Sequence, residues 1–170
     1  MSPSDTAQPS SEPTRDRTRQ LERRQRRARA ALRYGLGALL AFAALNAFAG
    51  GYYGLAGAKG VPREWLRGSP FPDYFVPSLI LVVVVGGSLL WATVAVFARW
   101  RNDRLLAVAA AAIVFGWLAI EVAIIGYVSW MQPATAVGGA LVLALAWQLP
   151  FPGPSSLPAE QAAGARPAGT

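Results

Sequence analysis

The chain contains no cysteine and no histidine. Without thiols there is no disulfide and no CxxC exchange chemistry. Without thiolate or imidazole ligands, the usual zinc sites and His-ligated haem are excluded, and so is a Ser-His-Asp arrangement. Those absences remove quinone-linked disulfide formation and b-type haem electron transfer from the roles open to it. Charge is scarce as well: 15% of the residues are charged, against about 25% in an ordinary soluble domain. Lysine is almost missing. Lys59 is the sole example, so arginine supplies nearly all of the 16 basic residues. With abundant Ala, Gly and Pro, this bias reads as the codon usage of a GC-rich bacterial genome.

What is present is apolar: 54% of the 170 residues are hydrophobic. They gather in four stretches joined by short links, at residues 34–55, 75–98, 105–129 and 134–149. A bilayer span needs about 20 predominantly apolar residues. Inside these stretches Glu121 is the one acidic or basic residue. The pattern predicts an all-α fold, a four-helix transmembrane bundle over residues 34–149. The fourth stretch is the shortest, about 24 Å at helical rise, slightly less than the hydrocarbon core.

Both flanks differ in composition. Residues 1–33 are read as a disordered basic tail. Its first part is rich in Ser, Pro and Thr. A block of arginines from Arg15 to Arg33 follows, which contains good helix formers and can extend the first span inward. Residues 150–170 are Pro/Ala/Gly-rich and read as a second disordered tail. Arginine clusters beside a span hold that side in the cytoplasm. Arg99, Arg101 and Arg104 in the second link fall on the same side, and the link 130–133 has no basic residue. Both termini are therefore predicted to be cytoplasmic in a multi-pass protein of a bacterial inner membrane. The block also suits anionic lipid, whereas nucleic acid is the less favoured partner. Ala47-Phe48-Ala49 resembles a signal-peptidase site, but the flank before it exceeds thirty residues and the apolar run continues past it, which argues against cleavage.

Small residues recur at helical spacing: Ala43, Ala47 and Gly51, then Gly50 and Gly54, Gly86-Gly87 and Gly138-Gly139. They permit close helix contact in lipid. The same seams serve a bundle, a homo-oligomer face or a membrane partner protein, and spacing does not choose among these. Most Trp and Tyr residues fall near predicted span ends, as an interfacial belt requires.

The link 56–74 is predicted to cap one end. Pro62 suits the first turn of a short interfacial helix that places Trp65 and Leu66 toward the membrane and stops at Gly68. Three prolines between Ser69 and Pro77 make a stiff return into the second span. In Gly50-Gly51-Tyr52, Val61-Pro62, Trp65-Leu66, Ser69-Pro70-Phe71, Asp73-Tyr74, Val76-Pro77, Trp117, Glu121, Ile125-Gly126-Tyr127 and Gln132-Pro133 the chain resembles a family of small four-span bacterial membrane proteins. Ser-Pro-Phe-x-Asp-Tyr is its most specific element, and no activity is established for the family. The resemblance implies an architecture and not a reaction. The chain departs from it at Ala58-Lys59-Gly60 and at Ser78, where the family often has a glycine.

Glu121 is the residue that needs explaining. A carboxyl in hydrocarbon is costly, and such groups face a bundle interior or a wet cavity. Counted from the predicted span ends, Glu121 lies about 12 Å deep and Asn46 about 13 Å deep. The two are thus predicted to meet at one level. Trp117 shares the helical face of Glu121 one turn below. Gln132, Thr135 and Asp73 are candidates to line a path upward, with Arg63 or Arg67 as a counter-ion. A Glu121–Asn46 hydrogen bond that fixes helix register is the plainer reading, and a proton-linked or ligand-binding pocket is the sharper one. No nucleophile–base pair or metal set accompanies the carboxylates, so no enzyme activity, metal or cofactor is expected. The leading functional expectation is a non-enzymatic structural or accessory membrane protein. The alternative is a small carrier or ligand-binding protein that uses Glu121 in an outward-facing pocket.

Overall fold

The computed structural model describes residues 12–67, 69–127 and 130–149. Among them there is no strand. Helix α1 runs Glu12–Leu55. A 3-10 turn, Arg63–Leu66, interrupts the loop that follows. Helix α2 spans Phe75–Phe97, α3 Asp103–Ile125 and α4 Met131–Trp147. Three of these helices are long and apolar enough to cross a membrane, and α4 is a shorter apolar helix.

The first correction concerns the basic flank. Residues 12–33 continue α1 as helix and are not a disordered tail. Arg15 to Tyr34 contain neither proline nor glycine. The span beneath has already formed the costly first turn, so each added residue gains one hydrogen bond. Forty-four residues give a rod of about 66 Å, roughly twice the hydrocarbon thickness. Residues 1–11 and the tail 150–170 lie outside the described residues.

Each helix packs against its neighbours in chain order, and α4 returns to α1. The four form a ring in which α1 and α3 occupy a diagonal. One end of the ring carries the loop after α1 and the link between α3 and α4, and is called the loop end below. The other carries the α1 arm, the link between α2 and α3 and Leu149, and is called the arginine end.

The core is not centred. Leu36, Leu40 and Ala44 of α1, Leu89, Ala92 and Val96 of α2, Ala107, Ala110 and Ala111 of α3 and Val142 and Ala146 of α4 are all buried. Every one of them lies in the middle or toward the arginine end. Alanine dominates the set, so helix backbones approach closely there.

Toward the loop end α1 meets α2 through glycines. A Cβ at Gly54 would collide with Ser78 Oγ, and one at Gly51 with Val82 Cγ2. Ser78, the departure from the resembled family, is itself buried. The seam therefore uses Ala47, Gly51 and Gly54. Gly50 is exposed, and Gly87 and Gly138 meet no neighbour. Within α2, residues Leu81–Gly86 wind as π-helix, and Gly87 N–H reaches Val82 O across one extra residue. Such a segment shifts which face the helix presents before and after it. After it, Leu89, Ala92 and Val96 face the core. Before it, Ser78 and Ile80 face a cleft, as does Leu81 at its start.

Candidate functional site

Helix α1 ends in a Schellman turn. Ala58 N–H bonds Tyr53 O at 3.1 Å and Gly57 N–H bonds Gly54 O at 3.1 Å. Gly57 takes φ +97°, a conformation that favours glycine. The Tyr53 hydroxyl then donates to Lys59 O. Pro62 precedes the 3-10 turn, as its fixed φ permits.

The residues of the Ser-Pro-Phe-x-Asp-Tyr element build the return strap. Ser69 Oγ accepts the Phe71 N–H at 3.3 Å. Asp73 Oδ1 accepts the Phe75 N–H at 3.0 Å and so satisfies a free donor in the first turn of α2. The Tyr74 hydroxyl donates to Pro62 O at 2.7 Å and ties the strap to the 3-10 turn. Burial pushes that hydroxyl above the ordinary tyrosine range. Trp65 is exposed, as the interfacial reading predicts, but Leu66 turns inward and is buried. Gly68, expected to end the turn, lies outside the described residues.

The strap covers a cleft between α2 and α3 of about 350 Å³, at the lower end of ligand-pocket sizes. Its walls are mainly aliphatic and aromatic. Leu66 and Phe71 come from the loop, Pro77 and Leu81 from α2, and Trp117, Ile120 and Ile124 from α3. The polar residues among them are Glu121, Ser78 and Tyr74.

Glu121 is placed by a short chain of causes. Helix α3 stops at Ile125 because Gly126 adopts φ +80° and ψ −171°, a region essentially reserved for glycine. The sequence reading carries this helix on to 129, but Val128 and Ser129 lie outside the described residues. Glu121 therefore sits about 6 Å from its helix end, half the depth expected. Helix α4 starts at Met131, three residues earlier than expected. Proline at position 133 does not oppose this, since the first turn lacks intrahelical N–H bonds. The early start puts Gln132 in the first turn, where it is 3% exposed. Gln132 Nε2 donates to Gly126 O at 3.0 Å, and the Gln132 side chain lies beside the Glu121 carboxyl.

The expected constellation is thus partly assembled. Trp117 and Glu121 line one cleft, and Gln132 holds Glu121. Asn46 is not there. It is exposed, and its Nδ2 donates to Phe42 O on its own helix at 2.8 Å. Counting residues gave its depth but not its direction around the helix, and α1 lies diagonal to α3. Thr135 is exposed on α4. Asp73 is exposed and occupied in capping α2. Arg67 supplies no counter-ion, because its guanidinium faces solvent and lies 3.9 Å from Glu64; the Arg63 side chain lies outside the described residues. Ser69 and Pro70 belong to the strap and not to the cleft wall.

A second polar cluster, at the arginine end, escaped the sequence reading. Asp103 and Arg104 are 6% and 8% exposed. Asp103 Oδ2 accepts from Arg33 Nη1 of α1, and Asp103 Oδ1 accepts the Arg104 N–H at 2.6 Å. Arg33 Nη1 also reaches Val96 O near the end of α2, at 3.3 Å. Arg104 Nη1 donates to Leu149 O beyond α4 at 3.1 Å, and its guanidinium stacks 5.0 Å from the Trp147 ring centroid. All four helices meet here. The acid sits at a helix N-terminus and both cations reach C-terminal carbonyls, so every charge complements a helix dipole. The available signal was the single acid, Asp103, among the arginines of a very short link.

Among the described residues no three His, Cys, Asp or Glu side chains come together as a metal site would require. No family model, curated protein or solved structure matches the chain.

Proposed function

We propose that this chain is a multi-pass protein of a bacterial cytoplasmic membrane that binds a small, mostly apolar ligand in the cleft beneath its loop strap. The likeness to the small four-span family is part of the same proposal. The observation that carries it is the coincidence of a half-open apolar cleft of about 350 Å³ with the one carboxyl in the interior of the apolar stretches, Glu121, in its wall. The activity is non-enzymatic, of the carrier or binding-protein kind. The arginine end faces the cytoplasm, with anionic lipid as the partner of the exposed arginines. Arg23, Arg24, Arg26, Arg27, Arg29, Arg99 and Arg101 are all exposed there, which supports this orientation.

Binding of decanol, a neutral apolar probe, tests the ligand reading. The full chain in maltoside micelles is expected to unfold at higher temperature as decanol is added. Filling the cleft by Ile124→Trp is expected to abolish the rise. A rise that survives Ile124→Trp, or no rise in the natural chain with decanol or with either charged decyl probe used below, overturns the reading. The structural or accessory role, which the Gln132 tie between α3 and α4 favours, then takes its place. Orientation is tested by Trp65→Cys, a unique thiol in this cysteine-free chain. Labelling from the cytoplasmic side alone reverses it.

A further inference from the structure

We infer that the ligand of the cleft is an amphiphile with an ammonium head group, its cation held between the Glu121 carboxyl and the aromatic side chains of Trp117, Phe71 and Tyr74. This rests on the ligand-binding reading above and names the class of ligand. Among the described residues lining the cleft, Glu121 is the only acid and there is no base. An anionic head group would meet a carboxyl with no cation to offset it. An alcohol would find an acceptor but gain nothing from charge. An ammonium gains from both kinds of wall. A carboxyl out of bulk water attracts it more strongly than one in water, and aromatic side chains stabilise cations through their ring quadrupoles.

The level of the site fits the same class. Glu121 lies about one turn inside the end of α3, near the boundary where a charged head belongs. Leu81 and Ile120 offer apolar surface for the alkyl chain. Tyr74 keeps its hydroxyl on Pro62 O, so its contribution to the cleft is its ring. Gln132, anchored on Gly126 O, holds the Glu121 carboxyl before ligand arrives. Pre-organisation of this kind lowers the cost of binding.

Three probes with one chain length separate the possibilities: decylammonium, decanol and decanoate, each added to the full chain in maltoside micelles near pH 7. The readouts are unfolding temperature and tryptophan fluorescence. Decylammonium is expected to bind at least about tenfold more tightly than decanol, the scale of one charge-assisted hydrogen bond, and decanoate more weakly than either. Glu121→Gln keeps the shape and a hydrogen bond, and should bring decylammonium down to the decanol level while leaving decanol unchanged. Trp117→Leu should weaken decylammonium several-fold more than decanol, and it carries the same comparison if Glu121→Gln fails to fold. Equal binding of decylammonium and decanol overturns the ammonium assignment and leaves the cleft reading standing. A preference for decylammonium that persists in Glu121→Gln, or that Trp117→Leu leaves undiminished, also overturns it. Failure of all three probes overturns both.

Discussion

The two ends of the bundle handle buried polarity in opposite ways. At the arginine end Asp103 accepts from the Arg33 guanidinium and from the Arg104 backbone N–H, and the two guanidinium groups reach carbonyls at the C-terminal ends of two other helices. The core immediately beside them is fully closed: Leu36, Leu40, Ala92, Val96, Ala107 and Ala146 are each 0% exposed. At the loop end the Glu121 carboxyl lies beside Gln132 and opens onto a cleft. Charges that are paired and dipole-matched hold helices together. A carboxyl in the wall of an apolar cleft is the feature on which the ligand-binding proposal rests. The same amino-acid types therefore serve as construction at one end and as a candidate site at the other.

Breaking the arginine end should have the largest effect. Asp103→Ala leaves Arg33 without its carboxylate in a largely enclosed position, and removing one partner of a buried pair costs about 3–5 kcal/mol. Arg33 retains some exposure, 23% for its side chain, which places the expectation at the lower bound. Thermal or denaturant unfolding in detergent reads this directly. Asp73→Ala at the loop end is the matched control. It loses one exposed cap bond, about 1 kcal/mol, so comparable losses at the two ends would erase the contrast.

Gly126→Ala comes next. A side chain at φ +80° and ψ −171° costs about 1–3 kcal/mol. The change also moves the carbonyl that anchors Gln132, so stability and decylammonium preference should fall together. A variant that loses stability but keeps the full preference would separate the turn from the site. A smaller effect is expected inside the site. A double-mutant cycle of Glu121→Leu and Gln132→Leu should give a coupling of about 1 kcal/mol, the scale of interhelical hydrogen bonds in membranes. A coupling near zero would mean that the Glu121–Gln132 contact contributes nothing to helix register.

The smallest change should be a gain. Arg99 closes α2 at φ +56°, with Trp100 N–H on Ala95 O at 3.0 Å in a Schellman turn. Arginine has no special tolerance for that conformation, and its side chain is exposed beside the charge cluster. Arg99→Gly should stabilise the protein by roughly 1 kcal/mol, visible as a rise in unfolding temperature. A loss instead would show that Arg99 takes part in the charge network.

The architecture was legible in the sequence because hydrophobic length is a local property. Uninterrupted apolar runs fix helices in lipid whatever their neighbours, since each backbone group must bond within its own segment. Helix ends were less legible. The third helix was read past Gly126, because an isolated glycine in an apolar run gives no warning of the φ it will adopt. The site was half legible: Glu121 and Trp117 share one helical face, and spacing shows that. Asn46 failed because depth is only one coordinate, and its direction around α1 is set by which helices are neighbours in the ring. Gln132 was named on position alone, and its early place in α4 gives it the role expected of Asn46.

The sequence by itself determined an apolar helical protein free of thiol and imidazole chemistry, with one carboxyl out of place and arginine gathered at one end. Each follows from composition and local spacing, which no packing can alter. Only the tertiary structure decided which polar groups meet. It paired Glu121 with Gln132, joined Arg33 to Asp103 across 70 residues, and left a cleft at the loop end while closing the other. Those outcomes depend on the ring order of the helices and on two glycine-dependent helix ends. Ring order is a long-range property, and no stretch of sequence read alone contains it.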